Sequence, residues 1–116
     1  MKLVVLCRPS VPRNAGLALR TATNFGPCEL VLAAPEKPSL TIHPDFEMMS
    51  HGVGERAAKA RLVPDLDAAL ADCQWVVGFT ARVRDHRVLC AWNEIRPELA
   101  RRAASPEERV ALVFGN

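Results

Sequence analysis

Aromatic residues make up only 5% of this 116-residue chain, so Val, Leu and Ala must supply most of its core. Long apolar runs are also missing. The opening Met1–Arg8 segment is too short and too soon interrupted by charge for a membrane span or a secretory signal. The expected location is cytoplasmic, with no membrane partner. The four cysteines (Cys7, Cys28, Cys73 and Cys90) include no Cys-x-x-Cys pair, which argues against zinc. A disulfide framework has no secretory signal to support it, and reduced thiols are expected. His43, His51 and His86 lack metal-like spacing, so no metal is expected. No G-x-G-x-x-G follows the first apolar run and no G-x-x-x-x-G-K-[ST] occurs anywhere, which removes the main support for dinucleotide and P-loop sites. Ser10 lies between Pro9 and Val11 rather than in the glycine setting of a hydrolase nucleophile elbow.

The first 28 residues hold no carboxylate at all, only Lys2, Arg8, Arg13 and Arg20. A second basic cluster, Arg82, Arg84 and Arg87, is diluted only by Asp85. Guanidinium forks match phosphate oxygens, so clustered arginines point toward anionic ligands. An unevenly charged, merely solvated surface is the plain alternative.

What is present alternates. Leu3–Cys7, Glu29–Ala33, Gln74–Phe79 and Val110–Phe114 are short apolar runs suited to strands buried on both faces. Ala15–Asn24 has a helical apolar stripe of Leu17, Ala18, Thr21, Ala22 and Phe25, with Asn14 as N-cap and Gly26-Pro27 as the stop. Asp65–Ala71, capped by Asp65, and Asn93–Ala103 read as further helices, and Arg61–Val63 as a brief strand or extended link. The proline-rich 35–44 stretch reads as irregular, and Asp45–Met49 and Gly54–Ala60 as short helical pieces. This order predicts a single α/β domain with a mainly parallel sheet and flanking helices. In open parallel sheets, ligands bind at the carboxyl ends of the strands. Arg8–Asn14, Thr80–Arg87 and Gly115-Asn116 should gather there, with both basic clusters among them.

Pro12-Arg13-Asn14-Ala15-Gly16-Leu17-Ala18-Leu19-Arg20 resembles the first motif of the SpoU RNA methyltransferases, a branch of the SPOUT superfamily: Asn-x-Gly followed by Arg on one helix. Asn24-Phe25-Gly26 and Leu30-Val31-Leu32 continue the likeness. Val76–Arg82 is similar to the family's Gly-Thr-Ser-Ala-Arg segment, and Val110–Asn116 to the opening of its second motif. The resemblance implies a trefoil-knotted α/β fold, S-adenosylmethionine as methyl donor, a tRNA or rRNA ribose 2′-hydroxyl as acceptor, and a homodimer when full length. It also implies roles. Arg20 and Asn14 would serve catalysis, and Phe79, Thr80, Ala81 and Gly115 the donor. Arg8, Arg13, Arg82 and Arg84 would hold RNA.

Arg20 would orient a phosphate or stabilise developing alkoxide charge, since its pKa above about 12 makes it an unpromising base. Asn14 would fix the helix start and bond Arg20 or the ribose. Gly16 would allow close approach of backbone or ligand. Two departures qualify the likeness. Phe79 stands where relatives often carry Thr, and the sequence stops inside the second motif. The expectation is therefore a C-terminally truncated domain over residues 1–116, with an incomplete knot and no activity alone. The alternatives are a natural short form acting as an RNA-binding or assembly module, and an unrelated small nucleotide-binding α/β protein.

Overall fold

Short β-branched and leucine-rich runs separated by helical segments favour parallel strands with crossover helices, and the chain folds that way. The structure, a computed structural model, describes residues 2–24, 28–50, 60–80 and 89–115. Five parallel strands, β1 (Lys2–Cys7), β2 (Cys28–Ala33), β3 (Arg61–Val63), β4 (Trp75–Gly78) and β5 (Val110–Gly115), lie in the order β3-β2-β1-β5-β4. The helices are α1 (Pro12–Thr23), α2 (Pro44–Met49), α3 (Leu66–Leu70) and α4 (Trp92–Ala104). The 35–44 stretch, expected to be irregular, contains a 3₁₀ turn over Pro38–Ile42. Of the expected 54–60 piece, residues 54–59 lie outside the described residues.

The pleat divides the core in two. Val4, Leu30 and Leu32 face α1, where Ala15, Leu19, Leu40 and Phe46 complete one cluster. Leu3, Val5, Val31, Ala33 and Ala111 face the other way and meet Ala69 of α3. By register, Trp75 shares the α1 side with Val110 and Lys2. There the Arg102 guanidinium of α4 sits 5.0 Å from the Trp75 ring centre. Arg102 is held in turn by Glu98 at 2.6 Å and Glu108 at 3.4 Å. Thus α1 and α4 lie on one face of the sheet and α3 on the other.

Two details correct the sequence reading. First, α1 begins at Pro12 with Val11 in the cap position and no side-chain cap bond, so Asn14 is not its N-cap. Proline's fixed φ and missing N–H suit the first turn, which moves the start upstream. Second, the buried side of α1 is Ala15, Gly16 and Leu19. The expected stripe is displaced around the helix, and Leu17 stays 37% exposed. The displacement comes from α2, which packs on Gly16: a Cβ there would stand 2.5 Å from the Phe46 carbonyl oxygen. Gly16 therefore admits a backbone. β5 sits inside the sheet, paired on both edges. The Asp65 cap is as expected, its Oδ1 accepting from the Ala68 N–H at 2.8 Å.

Candidate functional site

From β1 the chain builds outward to β2 and β3, then crosses over and returns through β4 to β5. β1 and β5 are neighbours, so their carboxyl ends lie side by side on the edge where open α/β sheets bind ligands. Arg8 leaves β1 at φ 49° and Ala34 leaves β2 at φ 50°. Both are left-handed non-glycine positions that cost about 1–2 kcal/mol each. They are held by bonds from the Arg8 N–H to the Ala33 carbonyl (2.8 Å) and from the Ala34 N–H to the Val63 carbonyl (2.9 Å). Gly115 ends β5 at φ 115°, and a Cβ there would lie 2.6 Å from the Cys7 carbonyl oxygen. Both its conformation and its closeness to β1 require glycine.

One strand further on, the Phe79 N–H donates to the Val113 carbonyl at 3.0 Å, so Phe79 and Thr80 emerge beside the end of β5. Three of the four donor-site residues taken from the sequence, Phe79, Thr80 and Gly115, thus share two adjacent strand ends. Ala81 lies outside the described residues, as do Arg82 and Arg84. Burial pushes the Cys7 thiol up from its ordinary value, with the Arg8 charge opposing.

An aromatic group stands over this edge. The Phe79 ring stacks on Phe114 with centres 4.6 Å apart and planes within 5°, and Trp92 meets Phe79 at 5.9 Å. Phe114 and Trp92 in turn border an apolar trough of about 790 Å³ between α1 and α4, floored by Val4, Leu6 and Leu112. The displaced stripe of α1, Leu17, Ala18, Thr21 and Ala22, forms its wall. The trough escaped the sequence reading, although the stripe was its signal: a second apolar face on a helix already packed elsewhere.

Asn14 also borders the trough, close to the strand ends. Arg20 follows six residues later, which on a helix is about 120° around the axis, so the two side chains point to different sides. Arg13 and Arg20, seven apart, share one exposed side of α1. Among the described residues Arg20 pairs with no carboxylate. The residue is exposed. Arg8 lies at the sheet edge and Arg13 in the first turn of α1, both exposed. Among the described residues no group of His, Cys, Asp or Glu could hold a metal ion, and no helix is long and apolar enough to cross a membrane.

The family model described as the SpoU rRNA Methylase family matches residues 1–116. The chain belongs to that family. Among curated relatives, it is 37% identical over 116 residues to the tRNA (cytidine/uridine/adenosine-2′-O-)-methyltransferase TrmJ of Pseudomonas aeruginosa, covering 97% of this chain and 42% of that protein. It is 35% identical over 117 residues to the tRNA (cytidine/uridine-2′-O-)-methyltransferase TrmJ of Yersinia pestis, with the same coverage. The chain thus spans under half the length of these relatives. Among solved structures, a probable methyltransferase from Bordetella pertussis Tohama I superposes with TM-score 0.85 at 28% identity, over 98% of this chain and 66% of that one. TrmJ from Z. mobilis ZM4 gives 0.83 at 26%, over 99% and 49%.

The strand-end groups suit an adenosyl ligand: an aromatic surface beside backbone that leaves the sheet, with no side chain at Gly115 itself.

Proposed function

We propose that the protein carrying this chain methylates the 2′-hydroxyl of an RNA ribose, most directly in tRNA, with S-adenosylmethionine as donor. The observation that carries the proposal is the meeting of the family's motif segments at one place. β1, β5 and β4 are neighbours, so Arg8, Gly115 and Phe79-Thr80 leave the sheet on one edge, with α1 and its arginines alongside. The tRNA 2′-O-methyltransferase names of the relatives at 35–37% identity support the same chemistry.

Phe79, Thr80, Ala81 and Gly115 would hold the donor, which when bound supplies an electrophilic methyl group. The chain's own residues then do three things. Arg8 and Arg13, joined by Arg82 and Arg84, bind the phosphate backbone and set its register. Asn14 hydrogen-bonds the ribose at the head of the trough. Arg20, on the outer side of α1, neutralises charge that develops on the 2′-oxygen, and its position favours a ribose presented across a homodimer rather than one within its own trough. Holding the hydroxyl in line is worth up to about 7–11 kcal/mol, the largest contribution available to a site without a strong base.

The test is methyl transfer from tritiated S-adenosylmethionine to an unmodified tRNA transcript by the intact protein, followed by nucleoside analysis. Label in a 2′-O-methyl nucleoside is expected, and it should vanish when the acceptor carries a 2′-deoxy sugar. Label on a base would refute the acceptor assignment. Tight RNA binding without any transfer would instead favour an RNA-binding module.

A further inference from the structure

The two loops with left-handed residues enclose a cleft that the methyl-transfer site does not use. The β1–α1 loop contributes Ser10, and the segment after β2 contributes Glu36, Lys37, Ser39 and His43, around a cavity of about 240 Å³. The Glu36 N–H donates to the Pro9 carbonyl at 3.0 Å and fastens one loop to the other. The strained backbone at Arg8 and Ala34 sits at the root of each loop. Such strain persists where surrounding structure holds it and tends to mark ligand-binding segments. Four of the five polar side chains, those of Ser10, Glu36, Lys37 and Ser39, make no hydrogen bond or ion pair with a described residue. The fifth is oriented: His43 Nδ1 accepts from the Asp45 N–H at 3.0 Å, so in the neutral ring the proton sits on Nε2 as a donor.

The mixture is informative. Lys37, His43 and two hydroxyls offer donors to phosphate oxygens. Glu36 would repel a bare anion but accepts well from sugar hydroxyls. The cleft lies one strand over from the carboxyl ends of β1 and β5, on the same edge of the sheet, a fitting place for the next unit of a strand whose reacting ribose lies at those ends.

We propose that this cleft is a subsite for a ribose-phosphate unit of the RNA strand flanking the methylated nucleotide, with Lys37 and His43 on the phosphate and Glu36 on the 2′-hydroxyl; the assignment rests on the RNA methylation proposed above. The cleft thereby adds a means of telling RNA from DNA away from the reacting sugar.

The experiment compares the intact protein with Lys37→Ala, Glu36→Gln and, as a charge control at the opposite end of the fold, Arg101→Ala. RNA and DNA strands of one sequence are titrated at several salt concentrations, and methyl transfer is measured in parallel. Lys37→Ala should raise KM for RNA about five- to tenfold with kcat within about twofold, and lower the salt slope by about one. Glu36→Gln should cut the preference for RNA over DNA severalfold without weakening DNA binding. All three exchanged residues are solvent-exposed, so the variants should fold, and unfolding midpoints will check this. If the protein methylates RNA while both cleft variants match the wild type, the subsite is wrong and the function stands. If Arg101→Ala weakens binding as much as Lys37→Ala, net charge alone is at work and the subsite is again wrong. If RNA is bound with the expected variant effects but never methylated, the subsite survives and the function fails. If no RNA is bound, both fall.

Discussion

Alanine at Gly16 and alanine at Gly78 are the same chemical change and should shift stability in opposite directions. In a helix interior, alanine is favoured over glycine by about 1 kcal/mol. At Gly16 a new Cβ would meet the Phe46 carbonyl oxygen at 2.5 Å, Met49 Cβ at 3.1 Å and the Ser50 nitrogen at 3.2 Å. The first of these is backbone and cannot turn aside. That oxygen already accepts from the Ser50 N–H at 3.0 Å and the Ser50 hydroxyl at 2.8 Å, and Phe46 is only 1% exposed. Relief therefore means moving α2 off α1, at the upper end of the overpacking range, about 3 kcal/mol. The net expectation for Gly16→Ala is a loss of about 2 kcal/mol, or roughly 8 °C in Tm for a chain of this size. At Gly78 nothing lies within 4 Å of the built Cβ, and Gly78→Ala should gain about 0.5–1 kcal/mol by restricting the unfolded chain. Urea unfolding followed by far-UV circular dichroism gives both numbers. A Gly16→Ala protein as stable as the wild type would refute the packing account. If its methyl transfer fell while stability held, the glycine would serve a ligand instead.

Arg20→Ala should reduce methyl transfer by the intact enzyme about 10²–10³-fold with donor affinity nearly unchanged, and Arg20→Lys should rescue little because an ammonium lacks the planar fork. Single-turnover assays beside thermal unfolding would show whether stability falls in place of rate, the outcome that removes Arg20 from the chemistry. Neutralising Arg8, Arg13, Arg82 and Arg84 together should weaken RNA binding and flatten its salt dependence by about one unit for each phosphate left without its cation; unchanged binding would contradict it. The Arg102 guanidinium, aided by Arg101, holds the Glu98 carboxyl below the usual carboxylate range. Its contribution is therefore present above the unfolded-state range and lost as pH falls through the folded-state value. Glu98→Gln should lower stability near neutrality, and the deficit should close in acid. A deficit that stays constant with pH would show that the pairing is immaterial.

The strands were legible because each is a short run with one dominant tendency. Val4-Val5 in β1 and Val110–Phe114 in β5 emerged within a residue or two of their bounds. So did α4, although Pro97 lies inside it. The start of α1 misled because Asn14 is a good cap residue, while Pro12, two residues earlier, carried the stronger geometric preference. The burial of α1 could not be read at all. Ala15 and Leu19 are inside and Leu17 is outside because α2 approaches Gly16, and that approach involves residues some thirty positions away. The site shows the same division. Phe79, Thr80 and Gly115 follow apolar runs, so their place at strand ends was foreseeable. Their adjacency depends on the order β1-β5-β4, which no local pattern encodes. The stacking of Phe79 on Phe114 follows from that order too.

The position of β5 also bears on how the molecule assembles. Lys2 pairs with Val110, so this seam of the sheet joins residues more than a hundred positions apart, and among the described residues β4 reaches the rest of the sheet only through β5. The first half of the chain can form a three-stranded unit of β1, β2 and β3 with α1 and α2 as soon as it is made. Residues of α3, β4 and α4 must then wait for a strand encoded after them. Pairings of such long sequence separation are slow to form, and an apolar segment such as Trp75–Gly78 is aggregation-prone while it waits. Substitutions at the wholly buried Val110 and Ala111 should therefore cost yield during synthesis out of proportion to their effect on the finished fold.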